Sequence, residues 1–341
     1  MKELLRALCT LDGVPGYEDE VRKYIEEQVR PYADEMEADP IGNLIVFKKG
    51  KRRRVRPMMV TAHMDEVGFL IDSITDDGML KLAVAGGIDP RVLIGRKMRV
   101  GAKKIPGVIS LKAIHLTTAE ERKHAAPLRQ LYIDIGAQSK KEAEGLVSIG
   151  DPAMFASEFY ELGDCVKGKA IDDRIGCAVM IELLKTELPY DTYFVFATNE
   201  EIGSRGALVA AQRVRPGCVL ALEGTTAADM PGIPEHKQSC AQRQGAVVSI
   251  LDKTTVYSRP FREKVLKEAD KEGIRWQYRA SANGGTDARV AAAAAEGALA
   301  FGIATPTRYI HCACNVVYLP DAEEVLKLAA VVIKEAGELN V

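Results

Sequence analysis

The chain has 341 residues, 47% hydrophobic and 28% charged, with a formal net charge of −2 at pH 7. That length can bury a large core and divides into more than one domain, at roughly 100–200 residues each. Near-neutral charge excludes the broad basic field of a nucleic-acid binder, and no apolar run approaches the roughly 18 residues of a membrane helix.

The N-terminus carries Lys2, Glu3 and Arg6 and shows no signal-peptide pattern. Seven cysteines, an odd number without framework spacing, point to reduced thiols and a cytoplasmic location. Cys312 and Cys314 flank His311 and read as buried small residues, because Cys-x-Cys is not a zinc-finger spacing.

Leu4, Leu5, Leu8 and Leu11 recur at helical spacing, and Asp12, Gly13, Pro15 and Gly16 end that helix. A second amphipathic helix is expected over 17–29, stopped before Pro31. A turn at 39–43 leads into a strand over 44–47. The basic stretch 48–56 lies between two β-like runs and reads as a solvated hairpin tip. Next comes a buried strand from Pro57 that ends in His63-Met-Asp65.

From 67 to 162 the texture changes. Short alternating strands are expected at 69–74, 79–84, 97–100, 107–110 and 130–133, and a short helix at 140–146. Glycines and prolines break them roughly every ten residues, as in a small barrel or sandwich. Beyond 164, helices at 175–188, 207–213, 260–272, 287–297 and 322–336 are interspersed with strands at 193–197, 218–222, 246–251 and 299–304. The expected fold is α/β, with a mixed sheet flanked by helices. Residues 1–66 and 163–341 would form that domain, and 67–162 an inserted all-β, barrel-like domain.

Polar groups gather where predicted strands end. The run 193–197 stops at a corner bearing Glu200 and Glu201, followed by Gly203 and Gly206. In open α/β sheets, ligands sit beyond the carboxyl ends of such strands. Neighbouring residues there point in different directions, so one Glu can hold a metal while the other works as a base. His63, Asp65, Asp172, Glu223 and His311 complete the set. Two histidines and several carboxylates suit two divalent ions, with zinc, cobalt and manganese all compatible. In His63-x-Asp65 the period-2 geometry lets the Asp65 carboxylate accept the free ring N–H of His63.

Taken singly, each residue has an ordinary reading. The Glu-Glu pair would be a solvated turn, His63 a satisfied strand-end histidine and Asp172 a helix N-cap. Five such clusters, nearly all at predicted strand ends of one sheet, are harder to treat as coincidence. His115, His124 and His236 lie in polar, loop-like sequence and read as surface residues. Gly284-Gly-Thr-Asp287 reads as a helix start, with Asp287 near the N-cap.

Seven motifs occur in order: Gly13-x-Pro-Gly-Tyr-Glu18, Asp39-x-x-Gly-Asn43, Ala62-His-Met-Asp-Glu-Val-Gly68, Ala170-x-Asp-Asp-Arg-x-Gly176, Thr198-x-Glu-Glu-x-Gly-x-x-Gly206, Gly284-Gly-Thr-Asp287 and Pro306-x-Arg-Tyr-x-His311. Through them, and over essentially its whole length, the chain resembles the TET-type aminopeptidases. That cocatalytic metallopeptidase family includes glutamyl and deblocking aminopeptidases, and its members sometimes carry cellulase or endoglucanase labels.

The resemblance implies a phosphorylase/hydrolase-like fold and an enzyme that removes N-terminal residues from short peptides. It implies two divalent metal ions per subunit, zinc or cobalt first and manganese next. His63, Asp172 and Glu223 would hold one, and Asp172, Glu201 and His311 the other. Glu200 would be the general base and acid, and Asp65 the residue orienting His63. Position 223 is commonly Asp in the family, so the longer Glu arm here must retract by about one methylene.

The family also implies dimer contacts through the β insert and a hollow dodecamer with inward-facing sites. Strand edges in the insert need covering, and its apolar runs 80–84 and 154–159 are candidate contact surfaces. A deacetylase or carboxypeptidase on the same scaffold is the nearest alternative. A glycoside hydrolase is the alternative from another class, though 6% aromatic content with one Trp does not favour a sugar groove.

Overall fold

The computed structural model describes residues 1–339. The leucine spacing near the N-terminus produces α1 (Lys2–Thr10), which buries Leu4, Leu5 and Leu8. Then comes α2 (Asp19–Val29), with Val21, Ile25 and Val29 on its buried face. β1 (Glu35–Ala38) and β2 (Leu44–Lys48) pair antiparallel, and β3 (Met58–His63) is buried at every position.

The chain then leaves the main sheet. β4 (Gly68–Ile74), β5 (Leu80–Ala85), β6 (Lys97–Val100), β7 (Ile105–Ser110), β8 (Tyr132–Asp134) and β9 (Pro152–Phe155) close a barrel in the order β4-β5-β8-β7-β6-β9, with α3 (Lys140–Glu144) before β9. Phe69, Leu80, Met98, Ile133 and Phe155 fill its interior. Phe69 and Phe155 meet edge to face at 6.2 Å.

The return path is β10 (Tyr160–Leu162), β11 (Cys165–Gly168), α4 (Ile171–Leu184), β12 (Thr192–Ala197), α5 (Arg205–Val214) and β13 (Cys218–Thr226). It continues through β14 (Ala246–Val248), α6 (Arg259–Lys271), β15 (Trp276–Tyr278), α7 (Ala288–Ala293), β16 (Leu299–Arg308), β17 (Asn315–Tyr318) and α8 (Leu319–Gly337). The main sheet runs β1-β2-β12-β3-β13-β16-β17-β11-β10, with β14 on β16 and β15 on β14. β12, β3, β13 and β16 are parallel neighbours, and β2 and β17 flank them antiparallel.

Such a parallel centre must be covered on both faces. Along β12, Phe194 and Phe196 join the core under α1, α2, α4, α6 and α8, while Val195 and Ala197 face alanines of α5 and α7. The expected mixed α/β fold with a β-barrel insert is therefore what forms.

Several details differ from expectation. The basic stretch is not a hairpin tip, because β2 and β3 never pair. β12 lies between them, and Lys51 and Arg52 donate backbone bonds to Leu188 and Pro189 instead. Tyr160–Leu162, assigned to the insert from sequence, pairs with β11 in the main sheet, so the barrel's last strand ends at Phe155. The runs 80–84 and 154–159 do not form contact patches throughout. Leu80 and Phe155 are buried in the barrel's interior, where alternate side chains point, and Met154, next to Phe155 on β9, is buried as well.

Charge pins the barrel to the main sheet. Lys169, wholly buried, lies 3.2 Å from Asp12 and is ion-paired with Glu66, while Arg99 of β6 also pairs with Asp12. Breaking a buried network strands its remaining charges, at a cost of about 3–5 kcal/mol. Lys169→Ala should therefore lower the melting temperature strongly. Arg259→Ala, which removes an exposed helix pair with Glu263, should leave it unchanged. Equal melting temperatures for the two variants would contradict this account.

Candidate functional site

Adjacent parallel strands deliver the site. β3 ends at His63, in register with Ala197 at the end of β12, and β13 brings Glu223 from the other side of β3. Asp172 sits at the start of α4, with non-helical angles of φ −81° and ψ 107°. It is not the helix N-cap. Its Oδ1 accepts the Gly224 N–H at 3.1 Å. His311 lies between β16 and β17.

These residues converge. His63 Nε2 is 3.7 Å from Asp172 Oδ1 and 3.7 Å from Glu223 Oε2. His311 Nε2 is 3.5 Å from Asp172 Oδ2 and 3.5 Å from Glu201 Oε1. Two triads result, His63–Asp172–Glu223 and Asp172–Glu201–His311, each with ligand atoms within 4.8 Å of one another. Spacings of 3.5–3.7 Å exceed a good hydrogen bond. They approach the ~3.4 Å edge of a tetrahedron whose corners lie about 2.1 Å from a central ion. The residues present thus fit a divalent metal ion at each triad.

Three of the donors are aimed by a neighbour. His63 Nδ1 lies 3.1 Å from the Asp65 carbonyl and His311 Nδ1 lies 2.7 Å from the Gly87 carbonyl, which assigns the ring proton to Nδ1 and leaves Nε2 facing the carboxylates. Gly87 belongs to the barrel side of the chain, so the insert orients one of the two imidazoles. Glu223 Oε1 accepts the Asp287 N–H at 3.3 Å. The long arm at position 223 is thereby tethered with its other oxygen toward His63.

β3 ends at His63, whose ring Nδ1 lies 3.1 Å from the main-chain carbonyl of Asp65 and 3.5 Å from its carboxylate Oδ1, on the side the spacing suggested. The Asp65 carboxylate also accepts the N–H groups of Glu200 and Glu201, both at 3.0 Å. Glu200 Oε1 accepts the Ser204 hydroxyl at 3.2 Å.

The site is crowded with acids. Burial pushes Glu201 up to about 8 and Glu200 up to about 7, despite the nearby histidines. Burial, with Asp173 beside it, holds Glu223 well above the usual range. Burial would lower His311, but Asp172 and Glu201 outweigh it and hold it at about 9. Burial would raise Asp172, yet His311 and His63 keep it below the ordinary carboxylate range. A buried surplus of carboxylate around two imidazoles is a setting that cations stabilise.

Two neighbours carry more than their sequence suggested. Asp287 does stand at the N-cap position of α7, but its side chain makes no cap bond. It is buried against the site, accepting the Thr61 hydroxyl at 3.1 Å, with burial raising it to about 6. Asp173 turns the other way, accepting the His63 and Gly176 N–H groups. Only the Gly-Gly-Thr-Asp motif hinted at Asp287. His115, His124 and His236 are exposed, as expected. All seven cysteines are free, Cys312 buried and Cys314 half-buried.

Residues 42–328 match the family described as M42 glutamyl aminopeptidase. The lysyl aminopeptidase of Pyrococcus furiosus is 31% identical over 349 residues, spanning 99% of this chain and 98% of that one. A TET aminopeptidase from a marine sediment Thaumarchaeota archaeon superposes with a TM-score of 0.94 at 33% identity, covering 100% of this chain and 96% of that one. The TET1 peptidase of Pyrococcus horikoshii, which can assemble into a tetrahedron or a large octahedral shell, superposes with a TM-score of 0.86 at 33% identity, covering 99% of each chain. The match takes in the site-bearing strands and the barrel together, and the chain belongs to the M42 glutamyl aminopeptidase family.

Proposed function

We propose that this chain is a metal-dependent aminopeptidase that releases N-terminal residues from short peptides, with Glu200 as general base and acid. The observation that carries the reading is the pair of triads sharing Asp172, with Glu200 beside them and, among the described residues, hydrogen-bonded at Oε1 alone. Divalent ions held by His63, Asp172 and Glu223 and by Asp172, Glu201 and His311 would supply Lewis acidity, lowering the pKa of water and polarising the scissile carbonyl. Zinc or cobalt suits this mixture of imidazole and carboxylate best, and manganese is compatible.

The protein's own part is proton transfer and placement. Glu200 Oε2, free of the Ser204 contact, takes a proton from the attacking water. Burial lifts Glu200 to about 7, so it is a stronger base than an ordinary carboxylate and still gives the proton up near neutral pH. As the C–N bond breaks, Glu200 passes that proton to the leaving amine and returns to its starting state. The surplus of carboxylates attracts the substrate's free α-ammonium, which favours attack at the first peptide bond.

A panel of aminoacyl chromogenic substrates tests this. Free-amine substrates should be cleaved, chelation should stop cleavage, and re-added zinc, cobalt or manganese should restore it. Acetylating the amine should abolish cleavage apart from slow deblocking. Efficient cutting within a capped peptide, or metal-independent attack on a cellulose-like polymer, would defeat the reading.

The same reading extends to assembly: dimers form through the barrel and build a closed dodecamer with inward-facing sites. Its support is the shell-forming Pyrococcus horikoshii relative and the barrel's outer surface. There Ile94, Val108, Ile114 and Leu116 are exposed, and Ile94 and Ile114 line a groove of about 600 Å³. Light scattering at micromolar concentration should report a large homo-oligomer that degrades peptides faster than folded proteins. An active monomer would refute the assembly. Among the described residues no helix is long and apolar enough to cross a membrane. The free thiols support a cytoplasmic location.

A further inference from the structure

The corner after β12 is held in an unusual way. Four consecutive backbone N–H groups are accepted by side chains rather than by other main chain. Thr198 donates to Asn43 Oδ1 at 2.9 Å and Asn199 to Glu18 Oε1 at 3.1 Å. Glu200 and Glu201 donate to the two oxygens of Asp65, each at 3.0 Å. The three acceptors come from separate parts of the chain: the turn before β2, the residue preceding α2, and the segment after β3. All are buried, Asn43 and Asp65 at 0% exposure and Glu18 at 5%.

The corner needs holding. Asn199 has φ +57°, a left-handed conformation uncommon for residues with a Cβ and tolerated best by Asn and Asp. Asn43 is itself fixed, donating to Asp39 Oδ2 at 2.7 Å and to the Gly206 carbonyl at 3.0 Å. A Cβ at Gly206 would lie 2.3 Å from Asn43 Oδ1, so glycine is required for this approach. One asparagine thus ties both ends of the segment 198–206 that carries Glu200.

We propose that Glu18 and Asn43 are positioning residues: by accepting the Asn199 and Thr198 N–H groups, they set the direction in which the Glu200 carboxylate leaves the main chain. The kinetic part of this inference rests on the reading of Glu200 as the proton-transfer group. A catalytic group misplaced by about 1 Å costs on the order of 10²-fold in rate. The role asked of Glu18 is that of an acceptor, which an amide can fill as well as a carboxylate.

Two substitutions at position 18 separate this role from a merely structural one. Glu18→Met keeps the volume but removes the acceptor, while Glu18→Gln retains a carbonyl oxygen. The expected result for Glu18→Met is a kcat lowered at least about tenfold, with KM and metal content within about twofold of the parent. Glu18→Gln should stay within about threefold of the parent in kcat. Val265→Ala, a buried change on α6, should lower the melting temperature without touching kcat, which separates lost stability from lost positioning.

Hydrogen exchange reads the same clamp without any turnover. The Asn199 amide should exchange faster in Glu18→Met and at the parental rate in Glu18→Gln. If the parent proves inactive on peptides yet Glu18→Met loses that protection, the aminopeptidase reading fails and the clamp stands. Unchanged protection in Glu18→Met overturns the inference. So does parental kcat in an active Glu18→Met enzyme, or a Glu18→Gln enzyme as damaged as Glu18→Met.

Discussion

Glu200→Gln is expected to lower kcat by about 10²–10⁴-fold or more, the range over which general-base catalysis contributes, while leaving the metal content intact. Gln has the shape of Glu, and the N–H of residue 200 would still donate to Asp65. The Ser204 hydroxyl would still have an oxygen to meet. What is lost is an atom able to accept the water's proton and return it to the amine. Glu200 is outside both triads, so its replacement removes no metal donor. His63→Ala and Asp172→Asn should behave differently, since each alters a donor and should lower bound metal. Steady-state kinetics alongside metal analysis of all three proteins distinguishes the roles. Near-parental kcat in Glu200→Gln would show that another group moves the proton.

Stripping the metal is expected to make stability fall as pH rises, whereas the metal-loaded protein should change far less. The sign follows from the folded-state titrations. Glu200 is raised to about 7, Glu201 to about 8 and Glu223 well above its ordinary range. Below the ordinary carboxylate pKa of about 4.3 these groups are protonated in both states and cost nothing. Above it the unfolded chain releases protons that the folded chain retains, so the folded state binds more and stability declines with pH. His311, held up at about 9, acts in the same direction: its contribution is present below its ordinary pKa and lost as pH passes about 9. Asp172 works oppositely, but only in strong acid, outside this window.

A tenfold difference in proton affinity between the folded and unfolded states is worth about 1.4 kcal/mol, so the metal-free protein should lose several kcal/mol between about pH 5 and 9. Divalent ions would replace the retained protons and remove most of that dependence. Melting curves of stripped and reloaded protein at three pH values would show the gap between them widening as pH rises. A constant gap, or a stripped protein that stabilises toward alkaline pH, would contradict this electrostatic account.

Local pattern was enough for much of the framework. The leucines of α1, the apolar runs of β3, β12 and β13, and five of the barrel's six strands follow from side-chain periodicity, a property of neighbouring residues. β1, β9, β10, β11, β15 and β17 were not expected from sequence. β1 is mostly exposed, while β15 and β17 span three and four residues, so long-range pairing rather than local pattern makes them strands. The misread hairpin at 48–56 has the same origin, since nothing between β2 and β3 announces that β12 will lie between them.

By itself the sequence pointed to the residues that gather at the site. His63, Glu201 and Glu223 follow strands of one sheet and so share an edge, Asp172 opens a helix, and the family resemblance supplied the ligand roles and His311; the structure brings all five together. Only the tertiary structure decided what holds them. The Asp65 carboxylate faces His63 Nδ1 at 3.5 Å and also holds the Glu200 corner, Gly87 of the barrel side fixes His311, and Asp287 tethers Glu223. Glu18 and Asn43 reach the same corner from more than 150 residues away in sequence. Periodicity gives the direction of a side chain from its own strand or helix. It carries no information on which distant backbone N–H that side chain will meet, which depends on how the strands are ordered in the sheet.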